Sequence, residues 1–487
     1  MDSHTDPHYE RRWLILGIIA IAQLMVVLDA TIVNVALPKT QIDLGFSDDS
    51  RQWIVTAYAL AFGSLLLLGG RLGDLFGRKW TFIGGLLGFA VASAIGGASQ
   101  SFGMLVGARA AQGLFGAILA PSALGLLSQT FTDPVERSKA FGIFGAIAGG
   151  GAAVGLLLGG VLTETLSWRW CLYVNLLFAI PAAVMAFRFF VNSTAGERRP
   201  LDFPGTLTAV AGLFSLVYGF SNSEVHSWGH PLTIIMLGAA VILLSAFIRI
   251  ESRSPHPLLP LRVITDRTRG GAYMAIGIAG VAMFAVFIFL TYYLQRTKGF
   301  SPIQTGLAFL PMPAMIVATS TTVNIKLLPK NGPRPHIIFG MVVGAVAMLW
   351  LAQIDASSSY MAHIFPGLVV MGLAMGNVFA PAFATATYGV EPRDLGVASA
   401  MVNTMQQVGG SIGTALLSSI FASSMSGYMD GKVPSPGLQT VAAVHGYTTA
   451  FYVSAAVFAL GAILVGTTMR PVRVKEPAVE AAHAVAA

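Results

Sequence analysis

Long apolar segments recur along the whole chain, and short polar loops rich in Arg, Lys, Pro and Asp separate them. Each segment holds roughly 18 to 25 mostly apolar residues, the length that an α-helix needs to cross the hydrocarbon layer of a bilayer. About fourteen such segments occur, so the pattern predicts an all-α polytopic membrane protein. The predicted spans are residues 13–38, 53–70, 80–98, 102–126, 140–162, 171–190, 205–220, 232–250, 272–294, 303–328, 336–353, 363–388, 397–424 and 447–469.

The two halves of the chain carry similar glycine-rich sequences. "GAILAP" at 116–121 and "GNVFAP" at 376–381 each precede a charged loop and another glycine-rich span. Transporters are commonly built from duplicated bundles, so this favours two six-span bundles with two inserted spans, although glycine-rich spans alone can mimic a repeat. The predicted parts are a cytoplasmic N-terminus (1–12), an N-terminal bundle (13–190), the inserted spans with flanking cytoplasmic loops (191–270), a C-terminal bundle (271–469) and a cytoplasmic tail (470–487).

Composition and charge agree with a membrane location. Only 10% of the 487 residues are charged, against about 25% in an ordinary soluble domain. With the N-terminus placed in the cytoplasm, 22 of the 29 Lys and Arg residues fall in internal segments and 6 in external ones. The positive-inside rule therefore predicts that both termini are cytoplasmic. The net charge of +7 is spread over many loops, which does not indicate a nucleic-acid partner.

Asp29 lies in the apolar stretch "VVLDATIVNVALP" of the first predicted span. A carboxylate at membrane depth costs about 3 kcal/mol on insertion scales and is tolerated where it faces water or a partner. Asn34 is interpreted as lying close to the same helix face, so this face is expected to line a central cavity. Loss of water favours the protonated carboxyl and a nearby cation favours the carboxylate, which predicts coupling of proton and substrate binding. The alternative is a carboxyl group hydrogen-bonded to a neighbouring helix purely for packing.

Arg109 is a second charged residue inside a predicted span. A buried guanidinium must be paired or hydrated, and Gln112, one turn further along, shares its helix face. We interpret Asp29 and Arg109 as the proton-coupling pair, with Arg109 as a partner that can be exchanged. A fixed salt bridge, or a cation that reaches the outer membrane surface, is the alternative.

The sequence "GGRLGDLFGRKW" at 69–80 follows the second predicted span. Its glycines permit tight packing and a turn, and its charges place one carboxylate among cations at the cytoplasmic end of a helix. This cluster predicts an ionic latch whose partners change when two bundles rock; a positively charged membrane anchor is the alternative. The predicted latch comprises Gly70, Arg71, Gly73, Asp74, Gly77, Arg78 and Lys79.

These motifs resemble those of a known family. "GRLGDLFGRK" at 70–79 resembles the loop signature of the major facilitator superfamily, and "LVGARAAQGLFGA" at 105–117 resembles its fourth-span motif. "LDATIVNVALP" at 28–38 resembles the first-span signature of the fourteen-span drug/proton antiporters, the EmrB/QacA branch. The resemblance implies two six-helix bundles around a central cavity, two inserted helices, alternating access, and export of compounds against protons across the inner membrane of a bacterial cell.

The fifth span departs from that family pattern. The antiporter signature G-x-x-x-G-P-x-x-G-G is read here as "GAAVGLLLGG" at 151–160, with Leu156 where proline is expected. Proline would remove a backbone donor and bend the helix, whereas leucine leaves the helix intact. The glycines still allow close helix contact, so their packing role is expected to survive while strict coupling is in question. The glycines of this signature are Gly151, Gly155, Gly159 and Gly160.

Aromatic, Met and amide side chains in several spans are candidates for the substrate cavity, because such surfaces accept bulky apolar or cationic molecules. Most residues of these types in a membrane bundle only pack or face lipid. The candidates are Asn34, Trp53, Tyr58, Phe62, Gln112, Phe284, Phe287, Tyr292, Met312, Asn377, Asn403 and Gln407.

The sequence therefore predicts a monomeric, proton-coupled multidrug exporter of lipophilic, often cationic compounds. Two alternatives stay open: export of one endogenous metabolite, such as a lipid, a siderophore or a self-made antibiotic, and a membrane sensor with this fold that moves no solute. An enzyme is not indicated, because no metal-ligand spacing, nucleophile elbow or phosphate-binding loop stands out. No cofactor or metal is predicted, and the expected partners are a small-molecule substrate, protons and the lipid bilayer, without nucleic acid.

Overall fold

The fold was examined in a computed structural model that describes residues 11–46, 50, 53–192, 201–323, 327–433 and 435–471. These residues form long α-helices joined by short turns. The predicted N-terminus and tail lie outside the described residues, apart from residues 11–12 and 470–471. The helices are α1 (Arg12–Leu44), α2 (Trp53–Phe76), α3 (Arg78–Gly97), α4 (Phe102–Thr130), α5 (Pro134–Thr165), α6 (Trp170–Phe189), α7 (Phe203–Val225), α8 (Pro231–Glu251), α9 (Leu261–Thr265), α10 (Arg267–Tyr292), α11 (Pro302–Phe309), α12 (Pro311–Thr322), α13 (Leu328–Asn331), α14 (Pro333–Leu351), α15 (Phe365–Ala386), α16 (Leu395–Met429) and α17 (Pro436–Thr468).

The described part of the chain contains 13 helical segments that are long and apolar enough to cross a membrane. The span formed by α11 and α12 counts once among them. α5 has 32 residues and is therefore about 48 Å long, which is sufficient for the remaining predicted span. The fold class predicted from the sequence, an all-α membrane protein, is confirmed.

The first six helices form one bundle. α1 packs on α5 and α6, α2 and α3 pack on α4, and α3 also packs on α6. Glycine brings backbones together: a Cβ on Gly69 would lie 2.1 Å from the carbonyl oxygen of Ala117, and a Cβ on Gly113 would lie 2.4 Å from that of Tyr58. Because α2 and α4 are in direct backbone contact, side chains of α4 are held at fixed positions relative to α2.

The second bundle is built from α10 to α17, and the inserted pair α7 and α8 lies beside both bundles. α10 packs on α16 and α17, while α14 packs on α15 and α17. α7 contacts α2 and α16 as well as α8. The hydroxyls of Thr56 in α2 and Ser221 in α7 are 3.1 Å apart, and the indole N–H of Trp228, after α7, donates to Ser419 of α16 at 2.7 Å. α7 and the following Trp228 therefore bridge α2 and α16.

The two bundles are closed on each other at the end where α1 begins and α17 ends, here called the terminal end; the other end is the opposite end. At the terminal end α2 meets α16, where a Cβ on Gly396 would lie 2.4 Å from the carbonyl oxygen of Gly70. On the other side of the molecule α5 meets α15, and Arg137 donates to the hydroxyl of Thr387 at 2.8 Å. Contacts on both sides therefore close this end.

Two boundaries predicted from the sequence are wrong. The first span was expected to end at Pro38, but α1 continues through this residue to Leu44, since membrane helices tolerate an internal proline. The predicted loop 69–80 is mostly helix: α2 continues to Phe76 and α3 begins two residues later. The turn is the single residue Gly77, whose φ of 90° favours glycine.

Close packing of α10 on α16 predicts a strong effect of one added methyl group. A Cβ on Gly413 would lie 2.4 Å from the carbonyl oxygen of Val281, so we expect Gly413→Ala to lower the free energy of unfolding by about 1–3 kcal/mol through overpacking. Gly427→Ala on the same helix is the control, because nothing lies within 4 Å of that position. Thermal unfolding of the detergent-purified proteins measures both, and equal midpoints would contradict the prediction.

Candidate functional site

A buried cluster of polar side chains lies inside the N-terminal bundle, where four helices meet. Asp29 of α1 is 0% exposed, and its Oδ2 lies 2.5 Å from Nη1 of Arg109 in α4. Its Oδ1 accepts hydrogen bonds from Nε2 of Gln112 at 2.9 Å and from Nδ2 of Asn175 in α6 at 2.7 Å. Ser93 of α3 also accepts from Gln112, at 2.7 Å. Three different residues thus donate to the carboxylate away from bulk water.

Arg109 has three contacts besides Asp29. Its Nε donates to the backbone carbonyl of Ile54 at 3.2 Å, and its Nη1 donates to Oε1 of Gln112 at 2.8 Å. Its guanidinium carbon lies 4.5 Å from the centre of the Tyr58 ring, which is a cation–π distance. The cation therefore keeps partners on α2 and α4 when the carboxylate is neutralised.

Two members of the cluster, Ser93 and Asn175, are absent from the residues predicted from the sequence. Asn175 carried a usable signal, since it is an amide in an apolar span within "WRWCLYVN", the same kind of signal that identified Asp29. Ser93 gave no such signal, because serine is common in membrane helices and often bonds its own backbone.

The expectation that Asp29 and Asn34 share a cavity-lining face is wrong in this structure. Five residues correspond to about 140° around an α-helix, so the two side chains point in different directions. Asn34 is exposed, and its amide donates to the carbonyl oxygen of Ala30 at 3.4 Å. Asp29 is held in contacts between helices. This is the geometry predicted by the alternative in which the carboxyl group is hydrogen-bonded to a neighbouring helix for packing. Exchange of a proton on this carboxyl group therefore requires the surrounding helices to move.

The candidate cavity residues lie on several helices and differ in their exposure. None of them lines the cavity of about 450 Å³ at the terminal end. The Phe284 side chain lies outside the described residues. Of the others, Tyr58, Phe62, Gln112, Met312, Asn377 and Asn403 are buried, Phe287 and Gln407 are half-buried, and Asn34, Trp53 and Tyr292 are exposed.

Asp74 belongs to α2, and it joins the two bundles at the terminal end. Its Oδ1 accepts from Nη2 of Arg78 at 2.8 Å and from the backbone N–H of Gly396 at 3.1 Å. The side chains of Asp74 and Arg78 are 2% and 3% exposed. Asp74 lies in the last turn of α2, and its carboxylate is a buried contact between α2 and α16, which breaks when these helices separate.

The other predicted latch residues point in different directions. Arg71 lines the 450 Å³ cavity together with Asp394. Burial raises the pKa of Asp394, which the adjacent guanidinium of Arg262 opposes. Lys79 lies away from the cavity and donates to the backbone carbonyl of Phe187 in α6 at 2.8 Å. Among the latch glycines, Gly70 lies between the bundles, Gly73 lies beside Ser122 and Thr81, and Gly77 forms the turn.

The fifth-span glycines pack α5 against α1, the helix that carries Asp29. α5 is continuous from Pro134 to Thr165, and Leu156 is half-buried within it. A Cβ added to Gly151 would lie 2.8 Å from Val27, and one added to Gly155 would lie 2.0 Å from the hydroxyl of Thr31. A Cβ added to Gly159 would lie 2.9 Å from Ile32. Gly160 is also buried. These contacts extend along α1 over Val27, Thr31 and Ile32, on both sides of Asp29 in the sequence.

Comparison with known proteins shows which family the chain resembles over most of its length. The profile of the Major Facilitator Superfamily matches residues 19–414. The chain is 46% identical to the puromycin resistance protein pur8 of Streptomyces alboniger, covering 93% of this chain and 90% of that protein. It is 37% identical to the cephamycin export protein CmcT of Amycolatopsis lactamdurans, over 83% and 84% of the two chains. The human organic anion transporter MFSD10 (TETRAN) has a similar fold, with a TM-score of 0.64 at 15% identity over 93% of this chain and 98% of that one.

The ion pair predicts non-additive effects on stability. We expect Arg109→Gln to be strongly destabilising, because removing one partner of a buried pair costs about 3–5 kcal/mol. The double variant Asp29→Asn/Arg109→Gln removes both charges and should recover most of that loss. Thermal unfolding of the wild type, both single variants and the double variant in one detergent measures the coupling. Additive losses would contradict pairing of the two side chains.

The glycine contact at the terminal end predicts a way to open it without removing a charge. A methyl group on Gly396 would collide with Gly70, so Gly396→Ala should favour separation of α2 and α16 by about 1–3 kcal/mol. A cysteine placed at the buried position Ala400, in a background where the buried Cys171 is serine, reports the opening. We expect on the order of tenfold faster thiol labelling, with Gly427→Ala as the control. Unchanged labelling would contradict a role of this contact in closure.

Proposed function

Because this chain belongs to the Major Facilitator Superfamily, we propose that it exports lipophilic, often cationic compounds from a bacterial cell in exchange for protons. The similar resistance and export proteins support an efflux transporter of this superfamily. The buried contact of Asp29 with Arg109 carries the coupling part of the proposal. It supplies one group that binds a proton and one cation that has other partners.

Coupling follows from the charge balance of this pair. While Asp29 is a carboxylate, it attracts Arg109 and accepts amide donors from α4 and α6. A proton on the carboxyl group cancels the attraction. The new O–H is itself a donor, so the N–H groups that now donate to the carboxylate cannot accept its hydrogen bond. Arg109 remains satisfied by Ile54, Gln112 and Tyr58. Proton uptake therefore weakens the attachment of α1 to α4 without leaving the guanidinium unpaired.

The proposed orientation places the terminal end in the cytoplasm. It rests on the positive-inside rule, since most Lys and Arg residues belong to segments at that end. The closed contacts of α2 with α16 and of α5 with α15 then describe a state in which the cytoplasmic side is shut. We infer a multi-pass monomer in the bacterial inner membrane that binds small molecules and protons, has both termini in the cytoplasm, and acts neither as an enzyme nor on nucleic acid.

The charge of the cluster bears on the substrate class. Asp29 is compensated by Arg109, so a cationic substrate gains from the carboxylate only when Arg109 turns to its other partners. Neutral lipophilic compounds need no such exchange. We therefore propose that the transporter accepts neutral lipophiles and monovalent cations, with aromatic and Met side chains of the candidate set providing the contact surface.

A second candidate function is export of one self-made compound. It is favoured by the names of two similar proteins, the cephamycin export protein of Amycolatopsis lactamdurans and the tetracenomycin C resistance and export protein of Streptomyces glaucescens. A thermal-shift screen separates the candidates: stabilisation by one compound and by none of a panel of cationic dyes would favour this function. Concentrative movement of any compound would exclude a sensor that moves no solute.

Substrate-driven proton movement in reconstituted vesicles tests the proposal. With a pH gradient imposed, addition of ethidium or puromycin should dissipate the gradient through the wild type and not through Asp29→Asn, because the amide cannot exchange a proton. Asp43→Asn is the matched control, since Asp43 lies on the same helix and pairs with Arg169 at the opposite end with its side chain 47% exposed. We expect this control to retain most of the wild-type rate. A proton response in Asp29→Asn equal to that of the control would refute the assignment.

A further inference from the structure

One acceptor in the Asp29 cluster is unused. Among the described residues, Oδ1 of Asn175 is buried and accepts no hydrogen bond, although Asn175 is 0% exposed. A buried amide oxygen without a partner costs about 1–3 kcal/mol. Such an atom calls for a physical explanation. The same side chain donates to Asp29 through its nitrogen, so its free oxygen is available as an acceptor in another orientation.

Amide side chains can exchange a donor for an acceptor at nearly constant shape. The oxygen and nitrogen of Asn175 occupy equivalent positions, so a half-turn about the last side-chain bond replaces Nδ2 by Oδ1. A carboxylate requires a donor, which is what Nδ2 provides at 2.7 Å from Asp29 Oδ1. A protonated carboxyl group requires an acceptor for its O–H, which the turned amide provides.

The neighbouring groups lack this freedom. Gln112 has its oxygen bound by Arg109, while its nitrogen donates to Asp29 and Ser93, so turning it would break three hydrogen bonds. Arg109 carries donors only. Asn175 makes its single short hydrogen bond to Asp29 and a longer one to Ser93, at 3.4 Å.

We propose that Asn175 is a positioning residue that turns its amide when Asp29 takes up a proton, donating to the carboxylate and accepting from the acid. The inference rests on the proposed function, because it assumes that Asp29 is the proton site. The proton adds to a carboxylate oxygen of Asp29, the ion pair with Arg109 is released, and the new O–H donates to Oδ1 of Asn175. The carboxyl group of Asp29 then stays hydrogen-bonded to Asn175 in both protonation states.

Each helix packed around the Asp29 carboxyl group contributes identifiable neighbours among the described residues. The titratable or charged neighbours are Arg109 of α4, Tyr58 of α2, which lies over the guanidinium, and Cys171 of α6. α3 contributes the hydroxyl of Ser93. α5 faces α1 with its glycines.

Infrared difference spectra between high and low pH test this directly on the full-length protein in lipid nanodiscs. The C=O band of protonated Asp29 is identified by its loss in Asp29→Asn. An acid that donates a hydrogen bond to an amide absorbs at lower frequency than one without an acceptor. We expect Asn175→Leu, which has a similar shape and no acceptor, to move this band to higher frequency. It should also slow substrate-driven proton movement about tenfold, as for loss of one buried hydrogen bond.

Two further variants control for packing. Asn175→Thr keeps a hydroxyl that both donates and accepts, and should restore the band toward its wild-type position even where Asn175→Leu folds poorly. Asn222→Leu removes a buried amide that bonds Thr233 between α7 and α8, and should leave the band unmoved.

The outcomes separate this inference from the proposed function. A band at the wild-type frequency in both Asn175 variants would overturn the inference, because the acid would then donate elsewhere. If the Asp29 band responds to Asn175 as expected but wild-type vesicles move no protons with substrate, the proposed function fails while the amide exchange stands.

Discussion

A buried carboxylate must keep its hydrogen-bond donors, and this constraint organises the N-terminal half of the protein. Asp29 has no access to bulk water, so α3, α4 and α6 are held where Ser93, Gln112, Arg109 and Asn175 complete one network. Apolar packing alone is weakly directional in lipid, whereas hydrogen bonds between helices specify their relative positions. The contacts that fix the bundle therefore converge on the side chain that we propose as the proton site.

α2 connects this network with the closed terminal end. One part of the helix presents the carbonyl of Ile54 and the ring of Tyr58 to Arg109. About four turns further along, Gly70 and Asp74 hold α16 through backbone contact and a hydrogen bond to Gly396. A continuous helix transmits a displacement along its length, so a change in the partners of Arg109 and a change in the contact of α2 with Gly396 act on the same helix.

The fold was predictable from the sequence because hydropathy, basic loops and motifs are properties of single segments. The site was only partly predictable, since it depends on which faces meet. Asp29 and Arg109 stood out as charges in apolar spans, but the side toward which Asp29 points was set by its partners on α4 and α6 and was assigned wrongly together with Asn34. The extent of α2 through Asp74 was missed because its charges resemble a loop, whereas pairing with Arg78 and contact with α16 satisfy them inside the bundle.

The position of α7 makes the two sides of the molecule unequal toward lipid. Between α2 and α16 this helix touches both partners, through Ser221 and Thr56 and through Val217 near Gly63 and Gln407, so it can continue to screen that crevice as they separate. On the other side, α5 meets α11 directly, with a Cβ on Gly306 only 3.0 Å from the backbone of Leu157. Among the described residues, the inserted pair packs beside the contact of α2 with α16, whereas the contact of α5 with α11 lies on the other side of the molecule. Separation of the bundles therefore changes the lipid-facing surface of the protein by unequal amounts on its two sides.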